Sequence, residues 1–204
     1  MAFLSILIQH GGPGAIAGQR LSGTDDLRAI REFYGHRELL GFWWQGGVSF
    51  IGLAFFALGF RAYLRTFELG PVAALLADLA TAVALLEAPL IAVDLGLQSA
   101  LVQVVGSGSP EGALALFASW DWIYNEMTYW FEATWMLLWA ALALRTGALP
   151  AWIGVAGVAA SIGLLFNSAA LMLRVPDIYT LVPTAILVVW MAATVVYLVR
   201  GGRR

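Results

Sequence analysis

Pro71–Val93, PVAALLADLATAVALLEAPLIAV, decides the fold class. It opens on proline, a residue suited to the first position of a helix because the N–H it lacks has no intrahelical partner there. The run that follows has roughly the 20 apolar residues that cross a hydrocarbon core about 30 Å thick. A chain in hydrocarbon must satisfy its backbone polar groups internally, so such a segment is a helix. Its apolar character continues through Leu95–Val105 until Gly106–Pro110 (GSGSP) ends it.

Working outward, Leu39–Phe60, Trp152–Leu173 and Ile178–Val199 are runs of the same kind. A longer one extends from Glu111 to about Leu144 and exceeds the hydrocarbon thickness at about 1.5 Å per residue. The expectation is an all-α integral membrane bundle of five transmembrane helices over residues 39–204. A sixth arises if 94–106 crosses separately. Residues 1–38 form a distinct N-terminal segment. In it Met1–Gln9 is too short to cross a bilayer, and Thr24–Leu40 reads as an amphipathic helix on the membrane surface.

Composition agrees. Sixty-one per cent of the residues are hydrophobic and 12% charged, with a mean hydropathy of +0.82. Soluble domains run nearer about 45–50% and about 25%. A soluble enzyme, a nucleic-acid partner and a disordered tail are excluded. Cysteine is absent, all eleven cations are arginine, and the two histidines, His10 and His36, precede the first span. No thiolate, lysine Schiff base or bis-histidine haem can be built, and neither a cofactor nor a metal is expected.

Arginine sets the orientation. Arg61 and Arg65, Arg145, and the C-terminal Arg200, Arg203 and Arg204 fall on one side of a five-span chain, while the 94–112 connection has none. The positive-inside rule puts the C-terminus in the cytoplasm and the N-terminus outside, in a bacterial-type plasma (inner) membrane. Two stripes of small residues, Gly41/Gln45/Ser49/Gly52/Gly59 and Gly154/Gly157/Ser161/Ser168, read as helix-packing seams.

The chemistry lies in Trp120–Trp139, WDWIYNEMTYWFEATWMLLW. On a regular helix at about 100° per residue, Asp121, Asn125, Thr128, Glu132, Trp135 and Trp139 fall within about 40° of one line. Glu126 lies on another side with Trp122, Tyr129 and Trp130. In the second span Glu87, Asp94 and Gln98 share a face, with Pro89 opening the backbone beside Glu87 and Asp78 pointing nearly the opposite way. Asn167 and Tyr179 come from the last two spans. Trp120, Trp122 and Tyr124 fit an interfacial aromatic belt.

A carboxylate in hydrocarbon costs at least a few kcal/mol, and no arginine occupies the middle of any span. Glu87, Glu126 and Glu132 must therefore hold protons or meet water, a cation or a ligand. One reading makes them interhelical contacts in a structural or accessory subunit. A second is a metal-independent, non-redox acid/base enzyme acting on a hydrophobic, isoprenoid-like molecule, of isomerase or cyclase type. Glu87, Asp121, Glu126 and Glu132 are then the acid/base candidates, and Asp94, Trp122, Asn125, Tyr129, Trp135, Trp139, Asn167 and Tyr179 line the pocket. Aromatic faces would steady a cationic intermediate by about 0.5–2 kcal/mol each. A third is a proton- or organic-cation-coupled carrier. The partners expected are a membrane lipid or hydrophobic small molecule and a second copy or larger membrane complex, not nucleic acid.

Arg145–Leu165, RTGALPAWIGVAGVAASIGLL, resembles a segment of the DUF4386 family of bacterial membrane proteins through its Leu-Pro-x-Trp-x-Gly core. The final span, with Trp190 followed by YLVRGG, is similar to that family's last helix. The resemblance implies a polytopic fold of six spans and assigns no site residue.

Overall fold

A computed structural model describes residues 28, 30, 31, 39–172 and 178–201. Within these lie six α-helices and one π-helical segment, with no strand. They are α1 (Leu39–Leu64), α2 (Pro71–Ser107), α3 (Pro110–Asp121), the π segment (Trp122–Thr128), α4 (Tyr129–Thr146), α5 (Ala151–Met172) and α6 (Ile178–Gly201). Two of them, α2 and the Ala151–Ala169 part of α5, are long and apolar enough to cross a membrane.

Local chemistry sets the boundaries. Pro71 stands at the start of α2 behind Gly70, and Gly108 ends it in the left-handed conformation, φ 79°. Ser109 then caps α3, its hydroxyl accepting from the Gly112 N–H, with Pro110 in the first turn. Gly147, φ 67°, closes α4 by returning its N–H to the Ala143 carbonyl. The helix runs on through Pro89, and residues 94–106 continue it without a break to Ser107.

That extension makes α2 37 residues long, about 55 Å at about 1.5 Å per residue. α3, the π segment and α4 return alongside it. The far end of this hairpin has a small core of its own, Leu101, Ala113, Phe117 and Trp120, on which Ile30 is buried. The rest of the expected Thr24–Leu40 helix, and the boundary at residue 38, fall outside the described residues. Trp120 is corrected here: it fills this core and is not part of an exposed belt.

Exposed large apolar side chains divide the molecule into two zones. They cover α1 (Phe55, 74% exposed), the first two-thirds of α2 (Leu75, Leu86, Val93), and α4 to α6 (Trp130, Trp152, Ile162, Val189). Between Leu95 and Trp120 the exposed residues are Gln, Gly, Ser, Pro, Glu and Ala. Water accepts the second surface, whereas the first is what lipid tails accept.

Helix order follows from contacts. α1 packs on α2, α2 on α4, α4 on α5, and α5 on α6. Phe56 meets Trp135 at 6.2 Å while Phe60 meets Trp139 at 5.1 Å, so α1 and α4 run parallel. Phe56 also meets Trp190 at 6.3 Å, which brings α6 against the same ring. The second small-residue stripe packs as expected: a Cβ on Gly154 would strike Leu144, and one on Gly157 would lie 2.5 Å from Trp190 Nε1 and 2.8 Å from Ala140 Cβ. Ser161, one turn on, donates to the Gly157 carbonyl at 2.7 Å.

Candidate functional site

Glu87 lies in the middle of the lipid-type zone, on the face that α2 turns toward α4. It is 2% exposed, and Glu132 and Trp135 on α4 are 3% and 1% exposed. The indole N–H of Trp135 donates to Glu87 Oε2 at 2.6 Å. The Glu132 carboxyl comes alongside, close enough to act on Glu87 both as a hydrogen-bonding partner and as a like charge. Like charges side by side in a low-dielectric interior repel strongly.

Aromatic rings wall this pair on one side. Trp135 and Trp139 are 5.1 Å apart, Trp135 and Trp190 6.3 Å, and Phe56 touches all three. Trp139 and Trp190 are fully buried. Phe56, Phe60 and Trp190 were not expected at the site. Their signal was present: Phe56 and Phe60 are one helical turn apart, and Trp190 is the sole tryptophan of the last span.

Of the expected third-span face, Thr128, Glu132, Trp135 and Trp139 are all buried, while the backbone leading to them departs from a regular helix. Residues 122–128 are π-helical, closing i→i+5 turns in place of i→i+4, so the regular 100° count does not carry across them. The Thr128 hydroxyl, buried in this segment, donates to the Ile123 carbonyl five residues back at 3.1 Å. The side chains of Asp121, Asn125, Glu126 and Tyr179 lie outside the described residues. Trp122 is 58% exposed and stands apart from the buried cluster, whereas Tyr129 belongs to the main core.

Asp94 is buried two turns beyond Glu87 and accepts from Gln98 Nε2 at 2.9 Å. It shares the helix face of Glu87 but not its cluster. Asn167 is buried on α5. Asp78, on the far side of α2, is held by Arg61 (2.7 Å) and Arg65 (3.3 Å). A cavity of about 600 Å³ opens elsewhere, at the arginine-bearing end, between Phe67–Ala73 and Arg145–Thr146. Along α2 it is roughly 24 Å from Glu87 at about 1.5 Å per residue. Among the described residues no group of three or more His, Cys, Asp or Glu is placed to hold a metal ion.

These features define an all-helical bundle with an apolar exterior and a buried acid pair against a cluster of tilted indoles. The chain belongs to the DUF4386 family, described as a domain of unknown function, whose model matches residues 1–202. The resemblance seen in the last third thus extends over essentially the whole chain. No curated protein and no solved structure matches it.

Proposed function

We propose that this is a five-span plasma-membrane protein whose Glu87–Glu132 pair is an acid/base centre for a hydrophobic, isoprenoid-like molecule. The observation that carries the reading is the meeting of two carboxyls from different helices in a dry, indole-walled interior, with Trp135 fixing one of them. Polar contacts between helices in lipid are commonly made by Ser, Thr, Asn, Gln and His, whereas an intramembrane acid is by default a functional residue.

In this reading the acid of the pair protonates an alkene or epoxide, and the C–H or O–H bond forms as the carboxyl O–H breaks. Trp139, Trp190 and Phe56 face the cationic intermediate, and the carboxylate left behind takes a proton from a neighbouring carbon to close the cycle. Trp135 keeps Glu87 oriented. The substrate enters from the bilayer, and lipid or a further copy of the chain is the expected neighbour.

The spans are α1, α2 to about Val93, the π segment with α4, α5 and α6. The exposed apolar side chains on each of them support this count, as does their disappearance between Leu95 and Trp120. The positive-inside rule applied to Arg61, Arg65, Arg145 and Arg200 supports a cytoplasmic position for the other end and an outside position for the α2–α3 tip.

The test is native mass spectrometry of the purified protein for a retained hydrophobic molecule, followed by turnover of linear polyprenyl alkenes and epoxides. Glu87→Gln and Glu132→Gln should each abolish turnover while the protein still folds. Full activity in both variants ends the acid/base reading.

A further inference from the structure

The cavity of about 600 Å³ at the arginine-bearing end lies apart from the carboxyl pair. Its wall runs from Phe67 to Ala73, the stretch that leads into α2, and across to Arg145 and Thr146 at the end of α4. Its size falls among small-molecule sites, which hold about 300–1,000 Å³.

Glu68 and Arg145, contributed from different parts of the chain, are both exposed. Among the described residues no hydrogen bond or ion pair holds either side chain, whereas Arg61 and Arg65 are both taken by Asp78. Two opposite charges thus line one cavity without neutralising each other. Thr146 is occupied, its hydroxyl donating to the Leu142 carbonyl at 2.8 Å. Apolar residues complete the wall. Phe67, Leu69 and Ala73 pack on the main core. Val72 lines the cavity and is 66% exposed, and Leu75, three residues on, is 68% exposed. With them the apolar exterior begins, so the cavity meets the lipid-type surface at its edge.

We propose that this cavity seats the headgroup of an aminophospholipid, with its phosphate at Arg145, its ammonium at Glu68 and its glycerol end against Val72. The proposal goes beyond the acid/base reading and does not depend on it. A guanidinium meets phosphate through two parallel N–H donors. A primary ammonium brings three N–H donors to a carboxylate, and a choline headgroup brings none. A purely anionic headgroup leaves Glu68 beside a like charge. The occupant comes from the bilayer because the wall at Val72 continues into the apolar exterior; a free zwitterion in water would leave that surface uncovered.

Native mass spectrometry of the full chain, released from nanodiscs of equal parts phosphatidylethanolamine, phosphatidylcholine and phosphatidylglycerol, tests this. The wild type should retain phosphatidylethanolamine about tenfold over each of the others, the scale of one charge-assisted hydrogen bond. Glu68→Gln should remove most of that preference, and Arg145→Gln should lower retention of all three lipids by about tenfold. Both side chains are exposed, and thermal unfolding at the wild-type temperature checks that the variants fold. Arg200→Gln, at the same end but outside the cavity wall, should change nothing. A loss in Arg200→Gln equal to that in Arg145→Gln overturns a defined seat in favour of general surface attraction. Equal retention of the three lipids by the wild type, or wild-type retention in both Glu68→Gln and Arg145→Gln, overturns it as well. Soluble phosphoethanolamine should leave the lipid in place; displacement by it makes the source a free headgroup and ends the lipid assignment. Turnover at Glu87 and Glu132 is read separately, so either proposal can fail without the other.

Discussion

The Trp135 indole reaches from α4 to α2 and donates to Glu87 Oε2 at 2.6 Å, with both side chains almost wholly buried. An indole N–H is a donor with no acceptor function, so it holds a carboxyl oxygen in place without competing for the proton of the Glu87–Glu132 pair. The bond ties α2 to α4 inside the buried core.

Trp135→Phe keeps most of the ring and deletes the donor. Glu87 then loses a buried partner, and stability should fall by about 1–3 kcal/mol. Glu87→Gln retains an amide oxygen that still accepts from Trp135, so it should unfold close to wild type. Thermal unfolding in detergent compares them, and equal losses in the two variants would contradict this role for the indole.

Gly157 on α5 packs directly against Trp190 of α6 and Ala140 of α4. A methyl there enters the Trp190 ring and the Ala140 Cβ, so Gly157→Ala should cost about 1–3 kcal/mol by overpacking. At Gly154 the obstacle is the Leu144 side chain, which can turn aside. Gly154→Ala should therefore be the milder of the two in the same unfolding assay.

Tyr63 joins the end of α1 to the α4–α5 loop through Ala148. Tyr63→Phe should lower stability by about 0.5–1.5 kcal/mol. Amide hydrogen exchange around Ala148 should rise with it, and an unchanged exchange pattern would show that the hydroxyl anchors nothing.

The chain has no cysteine, which makes topology directly measurable. Ser107→Cys and Ser119→Cys, both exposed on the α2–α3 hairpin, should react with a membrane-impermeant maleimide added outside intact cells. Leu79→Cys and Val155→Cys, on the apolar exterior, should not. Arg65→Cys should react only after permeabilisation. Labelling of Arg65→Cys in intact cells would reverse the orientation, and protection of Ser107→Cys would restore a sixth crossing.

The sequence by itself determined the class. Apolar runs bounded by Pro71, Gly106–Pro110, Leu149-Pro150 and the arginines are local signals, and runs of that length and composition read as helix. It also separated Asp78 from Glu87, because at about 100° per residue their spacing along one helix puts them on opposite faces. Tertiary structure decided three other matters. Residues 94–106 have the same apolar content whether they cross or extend, and only packing against Phe117 and Trp120 turned their Leu and Val side chains inward, away from the surface. The π segment changed the angular count within Trp122–Thr128, and no residue there announces a wide turn. Phe56, Phe60 and Trp190 joined the acid pair from helices distant along the chain, since partner choice among apolar helices depends on shape that hydropathy does not record.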